Sequence, residues 1–450
     1  MELSWLTDTK LTALNERKLA LLRAGAEIAD LSMINPDIAP PRLLVDKLLE
    51  LAVRPTNHRY AVARGVRRLR EAFSQKYADR FAVKLDPETE VCVTLGSKDA
   101  LEQVLRVIAL LPTLISNSMS AKRVIAVAGP AYPHYQSAAR LNGFEFRMFP
   151  LFSGADFSPE KFLEGCAQLP AGSIVLLNFP HNPTGMLAPA GFYERLVPIL
   201  LERDLFLIND FVYGELVYSG EPAVSILSLP AIRNRAVELY SISKSYSVPG
   251  WRVGAVLGAT AIVQAVSSLK GHIDYGIFLP IQGAAAAALH APSTLIASII
   301  EDYARRASVL SAALTEIGWH VVVPEAGAAV WACCPKDSCS FSGSAKPETS
   351  YELAHFLLEN AHVSCSPGEA FFLGSSESSQ NPDLSAEGSL YNRVILTEPS
   401  PGSSPRSHSG IWLRFALVLP EGRLKLVVDR IAAALEGRKQ TIGLENKRDK

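Results

Sequence analysis

Seven short apolar runs, at residues 91–95, 124–128, 144–151, 174–179, 205–209, 237–242 and 252–257, constrain the fold more than any other feature of the chain. Most are near-continuous rather than alternating. A strand with one wet face alternates apolar and polar side chains, so a continuous run implies burial on both faces, as in a parallel sheet covered by helices. Helical patterns at 99–111 and 192–203 fall between runs. The pattern predicts an α/β, doubly wound architecture around a mostly parallel, seven-stranded sheet.

The C-terminal part reads differently. Residues 285–317 carry the pattern of long helices, 321–332 that of a strand, 351–360 a helix, 412–417 a strand and 424–436 an amphipathic helix. This predicts a smaller α+β domain. With 450 residues, 48% of them hydrophobic, the chain is too long for one compact core, and two domains are expected. The boundaries read as a large domain at 51–285 and a small one at 286–436, with residues 1–50 forming an N-terminal arm and part of the small domain. Residues 374–410 are rich in Ser, Pro, Gly and Asn and read as an inserted loop, and 437–450 as a charged tail.

A formal net charge of -1 supplies no long-range field toward nucleic acid or an anionic membrane, so a small-molecule substrate is the plainer expectation. The start lacks a signal-peptide pattern and no uninterrupted apolar stretch of about 20 residues occurs, so a soluble, cytoplasmic protein is expected. The six cysteines, at 92, 166, 333, 334, 339 and 365, include no Cys-x-x-Cys pair and no nearby His at metal-ligand spacing. Reduced thiols and no metal are expected.

The chemistry centres on Lys244, in the run Ser241, Ile242, Ser243, Lys244, Ser245 and Tyr246. By itself it could be a surface lysine on a loop. Ser241 and Lys244 also match the Ser-x-x-Lys of penicillin-binding enzymes, but the chain has no Lys-Thr-Gly partner. Asp210 adds meaning, because it and Lys244 each lie just past a predicted strand. Ligands in open α/β sheets bind at the carboxyl ends of strands, which places both residues at one edge of the sheet. A lysine that forms an imine and a carboxylate that keeps a ring nitrogen protonated are what a pyridine-aldehyde cofactor requires. Gly96, Ser97 and Lys98 run from a strand end into a helix start, where free N–H groups and the helix dipole favour a phosphate. Ser241, Ser243 and Arg252 are natural further partners. The rigid turn from Asn178 to Gly185 offers Asn182 to the ring oxygen, as does Tyr213 with its phenol, and Tyr132 could stack on the ring.

Asn182, Pro183, Thr184 and Gly185; Asp210 with Tyr213; Ser241, Ser243 and Lys244 with Arg252 eight residues on; and Arg414 with Phe415, all in this order, resemble the class I/II aminotransferases, fold type I of the pyridoxal-phosphate enzymes. The resemblance runs from about residue 30 to about residue 435. It implies pyridoxal 5'-phosphate held by Lys244, which also shuttles the Cα proton, with Asp210 on the pyridine nitrogen and Asn182 and Tyr213 on the ring hydroxyl. Tyr132 would stack on the ring, and Gly96, Ser97, Lys98, Ser241, Ser243 and Arg252 would cradle the phosphate. Arg414 would take the substrate α-carboxylate, a task for which lysine is a poor substitute. Tyr60 would reach the phosphate of a neighbouring subunit, which implies a homodimer with shared active sites.

Segments 31–37, 95–99, 243–246, 274–276 and 363–368 are similar to one branch, that of bacterial alanine (glutamate–pyruvate) and LL-diaminopimelate aminotransferases. The branch implies alanine, glutamate, pyruvate and 2-oxoglutarate as substrates, with Tyr275 near the substrate, across the dimer interface. Two departures bear on the substrate: Ile34 stands where the family usually has glycine, and the insertion after Gly374 precedes Arg414. Rival readings are a lyase or 1-aminocyclopropane-carboxylate-synthase-like reaction on the same scaffold, and a non-catalytic ligand-binding protein. His134 and His181 are expected to serve as polar lining, and Trp331 and Trp412 as core.

Overall fold

The computed structural model describes residues 8–117, 123–153, 156–335, 346–372 and 410–437. Its strands in chain order are β1 (Ala29–Asp30), β2 (Val91–Thr94), β3 (Val124–Gly129), β4 (Glu145–Pro150), β5 (Phe152–Ser153), β6 (Asp156–Phe157), β7 (Ile174–Leu177) and β8 (Phe206–Asp210). There follow β9 (Ala236–Ser241), β10 (Gly254–Gly258), β11 (His320–Val322), β12 (Ala329–Pro335), β13 (Val363–Ser364), β14 (Ser366–Pro367) and β15 (Gly410–Ala416).

All seven apolar runs become neighbours in one sheet of order β2-β10-β9-β8-β7-β3-β4. Only β10 is antiparallel to its neighbours; the other pairings are parallel. Every residue of β2, β3, β7, β8, β9 and β10 is buried, whereas the edge strand β4 is half-buried throughout. Alternate side chains feed two cores: Val124, Ala126, Val175 and Leu177 pack into one, Ile125, Val127, Ile174 and Leu176 into the other. Two-faced burial is the physical reason for the continuous runs.

The run at 321–332 resolves into two antiparallel strands, β11 and β12, rather than one. Between them lie Pro324, which cannot donate a ladder hydrogen bond, and Gly327 at φ +86°, a conformation that reverses the chain. These strands join β15 and β14 in a second sheet of order β11-β12-β15-β14. β1 pairs with β13, which lays the segment after Asp30 beside this C-terminal sheet.

The apolar stretch after residue 279 forms two helices, Leu279–His290 and Ala297–Glu316, with a 110° bend between them; among the described residues no single helix is long and apolar enough to cross a membrane. Cys92, Cys166, Cys333, Cys334 and Cys365 are buried. Cys339, most of the expected insertion at 374–410 and most of the expected tail at 437–450 lie outside the described residues.

Candidate active site

β8 and β9 run parallel and adjacent, so their carboxyl ends open at one edge of the sheet. Asp210 is the last residue of β8, one position earlier than expected from the run at 205–209. Its Oδ2 accepts a hydrogen bond from the Tyr135 hydroxyl at 2.8 Å. Its Oδ1 is buried and has no partner among the described residues. Burial pushes its pKa up to about 6, against the pull of hydrogen bonds from Tyr135 and the Val212 N–H. A buried carboxylate oxygen without a donor is costly, and a protonated ring nitrogen would supply both the donor and the opposite charge. Asn178 ties this tip to the next: its Nδ2 donates to the Asp210 carbonyl at 2.6 Å and its Oδ1 accepts from the Asn182 N–H at 3.0 Å.

β9 ends at Ser241, whose hydroxyl accepts from the Ser243 N–H at 3.2 Å and so starts the one-turn helix Ile242–Ser245. Lys244 sits on that turn rather than on a loop, and its Nζ donates to the Ile34 carbonyl at 2.5 Å. Burial, followed by the nearby Arg414 and Arg252 charges, lowers the amine to about 8. A larger neutral fraction near pH 7 favours attack on an aldehyde.

Gly96 precedes the helix Ser97–Leu110 at φ +85°, with no side-chain cap on the first turn. A Cβ at Gly96 would lie 2.6 Å from Arg252 Nη2, so only glycine lets this guanidinium approach. Arg252 donates to the carbonyls of Pro249 (2.9 Å) and Leu95 (3.0 Å), neutral acceptors that orient its charge without cancelling it. With the helix start and the side chains of Ser97, Lys98, Ser241 and Ser243, this corner could hold a phosphate.

Arg414, on β15, lies opposite. It is 7% exposed, and burial lowers its pKa from the ordinary arginine value. Nη2 donates to the Ser32 carbonyl (2.8 Å) and the Ser366 hydroxyl (2.9 Å), and Nη1 to Asn182 Oδ1 (3.2 Å). Among the described residues it forms no ion pair with a carboxylate, and its buried Nε has no partner. A desolvated guanidinium held only by neutral acceptors is suited to receive a carboxylate.

A cavity of about 260 Å³ collects Ile34, Ser97, Lys98, Tyr132, Asn182, Asp210, Tyr213, Ser241, Ser243, Lys244, Arg252 and Arg414. Gly96 stands behind Arg252. Tyr60 and Tyr275 are not brought to it: they are 85% and 62% exposed and their rings lie 4.8 Å apart on the surface. His134 lines the cavity but is held near 4, first by burial and then by Lys98, which keeps it neutral. His181 is pushed down to about 3 by burial, and its Nδ1 lies 2.8 Å from the Thr184 hydroxyl. Trp331 and Trp412 are buried and stacked at 5.5 Å.

Four polar residues of the site were not expected: Tyr135, Asn178 as a connector, Ser32 and Ser366. Tyr135 carried a usable signal, since it stands one helical turn after Tyr132 on the helix His134–Leu141 side of the same strand tip. Ser32 and Ser366 carried none. The unpartnered Asp210 oxygen, the lowered lysine, the uncapped helix start beside Arg252 and the uncompensated Arg414 together fit a phosphorylated pyridine aldehyde and an amino acid.

Comparison with known proteins gives the same answer. The family described as aminotransferase class I and II matches residues 27–379. Glutamate-pyruvate aminotransferase AlaC of Escherichia coli (strain K12) is 38% identical over 356 residues, covering 79% of this chain and 82% of that protein. LL-diaminopimelate aminotransferase of Oleidesulfovibrio alaskensis (strain ATCC BAA-1058 / DSM 17464 / G20) is 30% identical over 381 residues, covering 84% and 90%. The substrate-bound structure of BacF from Bacillus subtilis superposes with a TM-score of 0.75 at 27% identity, covering 95% of each chain. The chain belongs to the class I and II aminotransferases, pyridoxal-phosphate-dependent enzymes of fold type I.

Proposed function

We propose that the cavity bounded by Asp210, Lys244 and Arg414 is the active site, and that it moves an amino group between alanine or glutamate and pyruvate or 2-oxoglutarate. The observation that carries this reading is the set of open valences that the described residues leave around one cavity: a carboxylate oxygen without a donor, a buried amine lowered to about 8 and a guanidinium without a counter-charge among them. The choice of substrates is supported by the 38% identity to a glutamate-pyruvate aminotransferase.

Pyridoxal phosphate, when bound, supplies an electrophilic ring that withdraws electrons from the substrate Cα. Lys244 Nζ would hold the cofactor and, once free, would be the base that takes and returns the substrate Cα proton. Asp210 keeps the ring nitrogen protonated. Asn182 and Tyr213 bind the ring hydroxyl, Tyr132 covers the ring, and Gly96, Ser97, Lys98, Ser241, Ser243 and Arg252 hold the phosphate. Arg414 fixes the α-carboxylate, which orients the Cα–H bond toward Lys244. Ile34 narrows the substrate side. A second 2-oxo acid runs the sequence backwards, so the kinetics are ping-pong.

The working enzyme in this reading is a cytoplasmic homodimer. Tyr60, Val62, Tyr275 and Phe278 are exposed apolar side chains in one part of the surface, and a second copy covering them would bring Tyr60 to its phosphate and Tyr275 to its substrate. Cys92, Cys166 and Cys365, buried and without a disulfide among the described residues, suit a reducing compartment.

The test is to incubate the purified protein with L-alanine and 2-oxoglutarate. Stoichiometric pyruvate and glutamate are expected; release of ammonia in their place would count against transamination. Sedimentation at micromolar concentration should give a dimer, and a monomer with full activity would remove the shared-site assignment.

A further inference from the structure

We propose that Phe371 is a positioning residue for substrate binding, its ring being the face that holds the Arg414 guanidinium in place; this rests on the carboxylate-binding role given to Arg414 above.

A series of close contacts leads the chain to this position. β14 pairs with β15, with Ser366 opposite Arg414. Gly368 then passes so close to β15 that a Cβ there would lie 2.4 Å from the Trp412 carbonyl. The single turn Gly368–Phe371 that follows is pinned by Glu369, whose Oε2 accepts from the Ser350 N–H (2.8 Å) and hydroxyl (2.7 Å) at the start of the helix Ser350–Asn360. The Phe371 ring is 2% exposed, packs edge-on against Trp331 at 5.6 Å and 74°, and has its centroid 4.9 Å from Arg414 Cζ. Its carbonyl accepts from the Ala131 N–H at 2.8 Å, next to Tyr132 in the cavity wall.

The chemistry explains why a ring stands there. An acid beside Arg414 would hold it firmly but would compete with the substrate's own carboxylate. An aromatic face attracts the cation through its quadrupole, uses none of its N–H donors and leaves its net charge available. The in-plane donors are left to Ser32, Ser366, Asn182 and the incoming carboxylate. Phe371 also joins the Tyr132 strand tip to the C-terminal sheet, so the ring-covering and carboxylate-binding groups share one support.

Replacing Phe371 with mono-, di- and trifluorophenylalanine drains the ring's negative face while nearly conserving its packing. The Kd of L-alanine in the half-reaction should rise in step with fluorination, by about two- to tenfold across the series, with kcat changing less. Cofactor absorbance and melting temperature should stay put. Phe371→Leu, which keeps bulk but no π face, should raise the Kd by at least as much. A flat Kd across the fluorinated series overturns the proposal, because a packing role alone would not follow ring electronics. If the series is flat while Arg414→Ala raises the Kd, only Phe371 loses its role; if Arg414→Ala is also without effect, the carboxylate assignment fails with it.

Discussion

Glu238 on β9 and Asp210 on β8 are buried acids on neighbouring strands, yet one is closed and the other open. Glu238 accepts from Asn209 Nδ2 (3.2 Å) and the Ile226 N–H (2.8 Å) on one oxygen, and from Tyr77 (3.0 Å) and Ser225 (2.8 Å) hydroxyls on the other. Asp210 has Tyr135 on Oδ2 and the pull of the Val212 N–H, while its Oδ1 has no partner among the described residues. Burial raises both, Glu238 to about 7 and Asp210 to about 6. A perturbed pKa therefore does not separate these two acids; unfilled hydrogen-bonding capacity at the cavity wall does. Arg414, whose partners among the described residues are neutral and leave Nε bare, belongs with the open class.

The comparison can be broken at four points. The largest effect should come from Lys244→Ala, which removes the covalent anchor and the proton carrier together. Turnover should fall by on the order of 10⁴-fold or more. Borohydride reduction in the presence of pyridoxal phosphate should label the parent protein on Lys244 and leave the variant unlabelled; near-normal turnover would end the site assignment.

Next is Arg414→Ala. Losing the anchor of a buried carboxylate contact costs about 2–5 kcal/mol, so KM for amino acids should rise by roughly 100-fold, with the cofactor spectrum intact. An unmoved KM would show that another group holds the carboxylate.

The third compares the two acids directly, in cofactor-free protein. The folded pKa of Asp210, about 6, lies above its unfolded value, so its burden on stability grows as pH rises through about 6 and is full above that. At pH 8, Asp210→Asn should therefore stabilise the apoprotein by about 1–3 kcal/mol, a gain that shrinks toward pH 4. Glu238→Ala should destabilise it by about 3 kcal/mol, because four donors lose their acceptor, while kcat per folded molecule is kept. Urea titrations of both variants decide this, and changes of the same sign would collapse the distinction between open and closed acids.

The smallest effect belongs to Tyr135→Phe. Its hydroxyl pulls Asp210 down, so its loss should push Asp210 further up and weaken cofactor binding by about tenfold, roughly one hydrogen bond. Titrating the apoprotein with cofactor between pH 5.5 and 8 should show the pH midpoint for binding moved upward; an unchanged midpoint would make Tyr135 a packing residue only.

The large sheet was legible because six of its seven strands are buried on both faces and announce themselves by near-continuous apolar runs; the half-buried edge strand β4 carries Glu145 and Arg147, and its run still found its place. The C-terminal sheet was less so. Its first two strands, joined through Pro324 and Gly327, read as one, since apolar residues continue through the turn. Asp210 and Lys244 could be put at one edge from their positions after strands. Tyr135, Ser32 and Ser366 could not be given their contacts. Tyr135 meets Asp210 across 75 residues, and Arg414 meets Ser366 across 48 and Ser32 across 382.

What local order dictates here is which residue types stand at strand tips and helix starts: an acid after one run, a lysine after the next, a glycine before a helix. Those positions follow from backbone periodicity, which short stretches of chain carry within themselves. The state of each group is decided elsewhere. Whether an oxygen is left without a donor, whether an amine is drawn down to about 8, and whether a guanidinium rests on a ring rather than an acid depend on side chains delivered from distant elements. Desolvation and hydrogen bonding act through space over a few ångströms, and only the folded chain sets those distances.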